Sequence, residues 1–133
     1  MNSRPQLIAN LEKAWTGNEQ TLLDQYVEDC TFEDKAFGLL HKGHAGLREV
    51  FEFTYTAMPD FRVVYGDSVI DDNFGAVQWV FTGSFHGEFE GRQHAGTPVR
   101  IEGVSFMKLH KGLIVHNCDY WSLATLAAQL NTQ

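Results

Sequence analysis

One carboxylate, Asp119, lies inside a largely apolar run that extends from Leu113 to Leu126. A carboxylate in such surroundings must find hydrogen-bond partners, stay protonated, or lie in a cavity that uses its charge. The last case describes a general base, because burial raises the pKa of an acid toward neutrality, where proton transfer is most effective. Asp119 is therefore the candidate catalytic residue. The alternative is a structural carboxylate that is hydrogen-bonded to a backbone amide, to Tyr26 or to Tyr65.

A β-strand is the element that must position Asp119. The run is rich in strand formers and follows a turn at residues 110–112, a pattern that is typical of a strand. Because side chains alternate between the two faces of a strand, one face is predicted to carry Asp119 together with Leu113, Val115, Asn117 and Trp121. Asn117 could orient the carboxylate or hold a substrate carbonyl, although a satisfied core amide is an equally good interpretation.

The walls of a pocket around Asp119 are predicted from the aromatic residues. The chain has ten Phe, four Tyr and three Trp, which is more Phe than a small core usually needs. Wall residues of this type would select a hydrophobic substrate. The expected wall residues are Trp79, Phe81, Phe85, Met107 and Trp121. Two tyrosines, Tyr26 and Tyr65, are candidate donors for the stabilisation of an oxyanion.

Length, charge and cysteine content exclude several classes of protein. The chain is predicted to form one domain, residues 1–133, which can bury a core without disulfides. A net charge of -7 offers no basic surface to nucleic acid or to an anionic membrane, and no apolar stretch is long enough to span a bilayer. Cys30 and Cys118 are predicted to be buried thiols rather than a disulfide, which indicates a reducing, cytoplasmic location.

No cofactor and no metal ion are predicted. The sequence has no glycine-rich phosphate loop at a strand-to-helix turn and no nucleophile elbow. His41 and His44 are three residues apart, but Gly43 separates them and no third ligand follows nearby. His116 is predicted to lie on the strand face opposite Asp119.

The periodicity of apolar residues predicts helices first and a sheet afterwards. Helical spacing occurs over residues 7–15, 22–27 and 45–58, and a last short helix is predicted over residues 123–130. Extended segments are predicted over residues 30–33, 61–65, 75–91, 98–109 and 113–121. This order is typical of an α+β fold in which helices cover one face of an antiparallel sheet.

Several short sequence motifs, distributed along nearly the whole chain, are informative through their order and spacing. They are Phe32-Glu-Asp34, Lys42-Gly43, Phe51, Met58-Pro-Asp-Phe61, the segment 79–91, Gly96-Thr-Pro-Val99, the segment 112–115 and the segment 119–126. Together they resemble the SnoaL-like polyketide cyclases of the nuclear transport factor two-like superfamily. The resemblance implies a cone, in which a strongly curved, mostly antiparallel sheet is covered on its concave face by three or four helices.

The resemblance also implies an acid/base role for Asp119. Such cyclases place an Asp of the last strand in the cone, where it promotes an intramolecular aldol closure. Related limonene-type epoxide hydrolases pair this Asp with an Arg-x-Asp on the strand that runs through Gln78-Trp-Val80 here. That pair is missing from this sequence, so their reaction is disfavoured.

Two further candidates come from the same comparison. Cyclase relatives carry a His at the position of Phe85, whereas here the His is one residue later, at His86, and therefore on the opposite strand face. A bulge at Gly83 or Gly87 would be needed to turn His86 into the site. Asp34 lies in the segment that often borders the mouth of the cone, although a solvated turn is the favoured interpretation of it.

These observations predict a cofactor-independent cyclase or isomerase that acts on a small hydrophobic carbonyl compound, polyketide- or terpenoid-like. Asp119 would remove a proton next to a carbonyl, and the enolate would then close a ring or shift a double bond. One alternative is a small-molecule-binding module of the same fold that performs no chemistry. Another is a protein-interaction domain that uses the outer face of the sheet. The superfamily commonly pairs this outer face with a second subunit, so the resemblance implies a homodimer.

Overall fold

The structure is a computed structural model that describes residues 4–131. Within this range the chain forms four helices and six strands. The helices are α1 (Gln6–Ala14), α2 (Glu19–Asp24), α3 (Gly43–Ala57) and α4 (Leu123–Asn131). The strands are β1 (Tyr26–Asp34), β2 (Leu39–Lys42), β3 (Arg62–Ile70), β4 (Phe74–Phe89), β5 (Arg92–His110) and β6 (Leu113–Trp121).

The predicted α+β class is confirmed. The six strands form one curved, open sheet in the order β2-β1-β6-β5-β4-β3. Only the pair of β1 and β6 is parallel among the described strands. The helices bury their apolar stripes against the sheet, through Ile8 and Leu11 of α1, Leu47 of α3, and Leu126 and Leu130 of α4.

Several element boundaries differ from the sequence prediction: β3 extends to Ile70 and β5 begins at Arg92. Helical spacing was predicted to continue through Tyr26 and Val27, but α2 ends at Asp24 and both residues begin β1. The short strand β2 was not predicted, because its apolar residues Leu39 and Leu40 are exposed at the edge of the sheet. Both cysteines are free and buried, as predicted.

A bulge in β6 removes Leu113 and Val115 from the face that was predicted to carry them with Asp119. Lys108 of β5 pairs with His116, whereas Leu109 pairs with Ile114, so Val115 is an extra residue without a partner. A one-residue insertion reverses the faces of all residues on one side of it. Leu113 and Val115 are therefore exposed, and Ile114, which strict alternation along the strand would place on the face opposite Asp119, is fully buried.

A second bulge lies in β5 at the far end of the sheet. Phe85 pairs with Thr97 and His86 pairs with Ala95, which leaves Gly96 as the extra residue. Gly96 has a φ of +107°, a conformation that favours glycine. The bulge thus lies in the neighbouring strand rather than at Gly83 or Gly87, and it does not turn His86 inward: His86 is exposed.

The indole ring of Trp79 packs closely against the backbone of the neighbouring strand in the middle of the sheet. The Trp79 ring of β4 lies directly against Gly103 of β5, so that a Cβ at residue 103 would overlap with the ring. Trp79 is only 7% exposed and belongs to the main core. Glycine at position 103 therefore allows the indole to reach the region between β5 and β6.

We expect Gly103→Ala to destabilise the protein by about 1–3 kcal/mol, because the ring has to move away from the added methyl group. Urea unfolding measures this change. Gly66→Ala is the matched control, because the nearest atom to a Cβ there is 3.7 Å away, at ordinary contact distance. Equal stability of the two variants would contradict the proposed packing.

Candidate active site

The carboxylate of Asp119 is held by one of its two oxygens. Ser105 of β5 donates its hydroxyl to Asp119 Oδ1 at 2.6 Å, and Asn117 donates its side-chain amide to the same oxygen at 2.8 Å. The register brings them together, because Ser105 lies directly opposite Asp119 and Asn117 is two residues earlier in β6. Asp119 Oδ2 accepts no hydrogen bond from residues 4–131. The carboxylate is thus oriented at Oδ1 and available at Oδ2.

Trp79 sets the direction of this hydrogen-bond chain. Its indole Nε1 donates to Ser105 Oγ at 2.8 Å. An indole N–H can only donate, so the Ser105 oxygen must accept from it and must direct its own single proton elsewhere. That proton goes to Asp119 Oδ1. When the carboxyl group is protonated, its proton therefore belongs on Oδ2, because Oδ1 already accepts from two donors.

Burial raises the pKa of Asp119 to about 6. The hydrogen bonds from Ser105 and Asn117 oppose this shift because they stabilise the charged form, and the nearby carboxylate of Asp34 adds to it. Desolvation is the largest of these effects. The result is a carboxylate that can both take and return a proton near neutral pH.

Two tyrosines lie near Asp119 with their hydroxyls unused. Burial, followed by the charge of Asp119, raises the pKa of both Tyr26 and Tyr65. Within the described range neither hydroxyl has a hydrogen-bond partner in the protein. Their environment keeps both phenols protonated, so they can act as hydrogen-bond donors to a ligand.

Aromatic rings surround the carboxylate. Phe81 lies between Trp79 and Trp121, with ring centroids 5.9 and 6.2 Å apart. Phe37 places its ring edge against Trp121 at 5.2 Å and is 38% exposed. Met107, opposite Asn117 in the sheet, is fully buried. The predicted wall residues of this region are brought together, and Phe37 is an addition that the sequence did not indicate.

Asp34 lies next to the site but has a structural role. Its Oδ1 accepts hydrogen bonds from the backbone N–H groups of Ala36 and Phe37, at 2.9 and 3.0 Å. It pairs with Asp119 across β1 and β6, and the Lys35 amide donates to the Asp119 carbonyl oxygen at 3.0 Å. Asp34 therefore forms the turn that carries Phe37 to Trp121, in agreement with the favoured interpretation of it as a turn residue.

Two predicted site residues lie elsewhere. His86 is exposed on the other face of β4, beside Gly96 and within electrostatic range of Asp60. Phe85 is partly buried against the main core, and its ring contacts are with Phe89 and His94, at centroid distances of 6.4 and 5.7 Å.

Neither the role of Ser105 nor the burial of His94 was predicted from the sequence. His94 is 7% exposed, and its Nε2 has no hydrogen-bond partner within the described residues. Ser105 lies in a strand predicted correctly, but its importance depends on the pairing of β5 with β6, and the alternation within one strand carries no information on the register. A search for polar residues at inward positions of β5 would have found it.

Asp119 lines neither of two grooves on the surface of the described residues. One, of about 490 Å³, is lined by residues that include Asp60, Ser84, Arg100 and Gln129. The other, of about 420 Å³, is lined by residues that include Gln78, Val80, Glu102 and Val104.

Sequence comparison gives the family. The chain matches the SnoaL-like polyketide cyclases over residues 6–130. The chain belongs to the SnoaL-like polyketide cyclase family. No protein of curated function matches it in sequence. No helix within residues 4–131 is long and apolar enough to cross a membrane.

Solved structures support the fold of this cyclase family. IdmH from Streptomyces antibioticus, a candidate polyketide cyclase, has a TM-score of 0.81 and 24% identity, with 96% of this chain and 97% of that chain covered. A SnoaL-like cyclase candidate from Shewanella denitrificans has a TM-score of 0.83 and 20% identity, with coverage of 98% and 100%. A protein of ketosteroid isomerase-like fold from Catenulispora acidiphila has a TM-score of 0.82 and 22% identity, with coverage of 96% and 93%.

The raised pKa of Asp119 predicts a pH-dependent gain in stability for Asp119→Asn. An acid whose pKa is higher in the folded than in the unfolded state stabilises the fold at pH values below its unfolded pKa, which is near 3.8 for Asp. This contribution is lost as the pH rises through the folded pKa of about 6. The amide has no such titration, and its oxygen can keep both hydrogen bonds. We therefore expect the free energy of unfolding of the variant, relative to that of the wild type, to increase by up to about 3 kcal/mol between pH 4 and pH 7.

Urea unfolding at both pH values measures this difference. Asp72→Asn, which removes one exposed carboxylate from a turn, controls for the change in net charge. A difference between wild type and Asp119→Asn that stays constant from pH 4 to pH 7 is incompatible with a raised pKa at Asp119.

Proposed function

We propose that the protein is a cyclase or isomerase that deprotonates a small, neutral, hydrophobic carbonyl compound with Asp119 as the general base. Membership of the SnoaL-like polyketide cyclase family suggests a cofactor-independent cyclase or isomerase. The observation that carries the proposal is the arrangement of Asp119: Oδ1 is fixed by two donors, Oδ2 has no partner among the described residues, and two phenols without partners lie nearby.

Proton transfer begins at Asp119 Oδ2. This oxygen removes a proton from the carbon next to a substrate carbonyl, and the electron pair of the C–H bond moves to form an enolate. Tyr26 and Tyr65 donate hydrogen bonds to the enolate oxygen as its negative charge develops. The second step uses the same carboxyl group. In a ring closure the enolate carbon attacks another carbonyl and Asp119 returns its proton to the new alkoxide, whereas in an isomerisation the proton returns to a different carbon.

Charge and polarity favour a neutral substrate. The groups that act on Asp119 are neutral donors, Ser105 and Asn117, and one further carboxylate, Asp34. An anionic substrate would be repelled by two carboxylates, while the rings of Phe81 and Trp121 favour an apolar or aromatic skeleton. A polyketide- or terpenoid-like compound with an acidic C–H bond satisfies these conditions.

Access to the site depends on Phe37. Its ring is partly exposed and contacts Trp121, and its backbone is fixed by the Asp34 turn, so a rotation of the side chain is the smallest change that opens a path. Side-chain rotation of an exposed aromatic ring is fast compared with enzymatic turnover.

A homodimer is proposed from the outer face of the sheet. Phe74 and Phe106 stack on this face with centroids 5.7 Å apart, and they are 47% and 38% exposed. Val64 and Tyr120 are exposed as well. Apolar groups exposed together on one face are typical of an interface with another subunit.

The catalytic proposal is tested by hydrogen–deuterium exchange into aryl-substituted 1,3-diketones and β-keto esters, followed by NMR and corrected for the buffer rate. We expect Asp119→Asn to lower the enzymatic exchange rate by about 10²–10⁴-fold, because it removes the base but keeps the shape. Tyr65→Phe should lower it by about tenfold or more through the loss of one oxyanion donor. The wild-type rate should increase with pH up to about 6 and then level off.

Asp72→Asn is the control for the loss of one carboxylate and should exchange at the wild-type rate. Exchange that persists in Asp119→Asn would exclude Asp119 as the base. Saturable binding of these compounds without any exchange would instead indicate a small-molecule-binding module.

A further inference from the structure

Three potential metal ligands meet on the outer face of the sheet, on the side opposite the Asp119 carboxylate. They are Glu33 of β1 and His116 and Cys118 of β6, and their ligand atoms all lie within 4.8 Å of one another. Glu33 Oε1 is 3.7 Å from His116 Nε2 and 3.9 Å from Cys118 Sγ. We propose that these three side chains form a zinc site that is separate from the candidate active site.

Two of the three ligand separations are close to those of a tetrahedral ion. Zinc bonds of about 2.3 Å to sulfur and about 2.0–2.2 Å to nitrogen and oxygen place neighbouring ligand atoms roughly 3.3–3.8 Å apart. Glu33 Oε1 is 3.7 Å from His116 Nε2 and 3.9 Å from Cys118 Sγ, whereas His116 Nε2 and Cys118 Sγ lie within 4.8 Å of each other. Binding therefore requires side-chain rotations that bring the imidazole and the thiol closer together.

The backbone holds the three residues in place. Glu33 and Cys118 are directly opposite each other in the parallel pair of β1 and β6, and Thr31 is opposite His116. Residues in a paired register of two central strands have little freedom to separate. The site is thus built on rigid elements rather than on a loop, which is what a defined coordination geometry requires.

Neighbouring groups orient two of the ligands. Thr31 Oγ1 is hydrogen-bonded to His116 Nδ1, and this contact leaves Nε2 directed at Glu33 and Cys118. Such a partner on the second ring nitrogen is the usual support for a metal-bound histidine. Lys35 Nζ binds the other carboxylate oxygen of Glu33, Oε2, at 2.9 Å, and Oε1 faces the cluster.

The donor set favours zinc over the hard cations. A thiol, an imidazole and a carboxylate together suit Zn²⁺, whereas Mg²⁺ and Ca²⁺ prefer sites made only of oxygen. A thiolate and a carboxylate also balance the two charges of the ion. Cys118 is 4% exposed, so the ion would be partly shielded from solvent by the sheet and by the neighbouring side chains.

Zinc binding is measured by competition with a chromophoric zinc indicator, with chelator-stripped full-length protein. We expect one Zn²⁺ per chain for the wild type. Cys118→Ser and His116→Gln should each weaken binding at least about tenfold, because each removes a ligand. Thr31→Val should weaken it by about 10–100-fold through the orientation of His116. The matched controls Cys30→Ser and His110→Gln, in which the changed residues lie outside the cluster, should bind zinc like the wild type.

The Co²⁺ spectrum gives a second readout, in which the result for the wild type alone can overturn the proposal. Tetrahedral coordination with a thiolate predicts strong visible bands and a sulfur-to-cobalt charge-transfer band, and the latter should be absent in Cys118→Ser. A wild-type spectrum of weak octahedral type, or no zinc taken from the indicator, would overturn the proposal. Equal zinc binding by the wild type, Cys118→Ser and His116→Gln would overturn it as well. None of these results depends on the chemistry of Asp119.

Discussion

The desolvation of a single carboxylate is the constraint on which the rest of the site depends. Asp119 occupies an inward position of β6, where apolar neighbours remove most of its contact with water and raise its pKa to about 6. A carboxylate in such a place requires strong donors. Ser105 and Asn117 provide them at Oδ1. Because both donors bind the same oxygen, the other one keeps its capacity to accept a proton.

The arrangement of the neighbouring strands follows from this requirement. The Trp79 indole donates to the Ser105 oxygen and so directs the Ser105 proton to Asp119, and the Trp79 ring reaches Ser105 because residue 103 has no side chain. The Asp34 turn beside the carboxylate positions Phe37 against Trp121. A glycine and an indole in the sheet interior, together with a turn at its edge, thus determine the geometry of one acid.

Most of the helices and strands were predictable from the sequence because apolar periodicity changes clearly after residue 60, whereas β2, which precedes α3, was not predicted. Within β6, alternation correctly placed Asn117, Asp119 and Trp121 on one face, since all three follow the bulge at Val115. It failed for Leu113, which precedes the bulge, because a bulge depends on pairing with a neighbour rather than on the pattern of one strand. The same limitation explains why Ser105 was missed.

The cluster of Glu33, His116 and Cys118 illustrates this limitation on the other face of the sheet. Its residues come from two strands that are 85 positions apart in the chain, and spacing along the sequence could not bring them together. The candidate active site was easier to find, because its central residue is unusual within its own strand. Sequence patterns thus identify single residues that are unusual within their own strand. A site formed by residues of different strands can be predicted only when the register of the strands is known.

The pKa of Asp119 tests its proposed role as a base most directly. NMR of the carboxyl carbon of ¹³C-labelled aspartate can measure this pKa, and the Asp119→Asn variant assigns the resonance. The account predicts a pKa of about 6 for Asp119. It also predicts a further increase in Ser105→Ala, where a stabilising donor is removed. A pKa near 4 in the wild-type protein would mean that Asp119 is a solvated or structural carboxylate, and the proposed role as a base would be wrong.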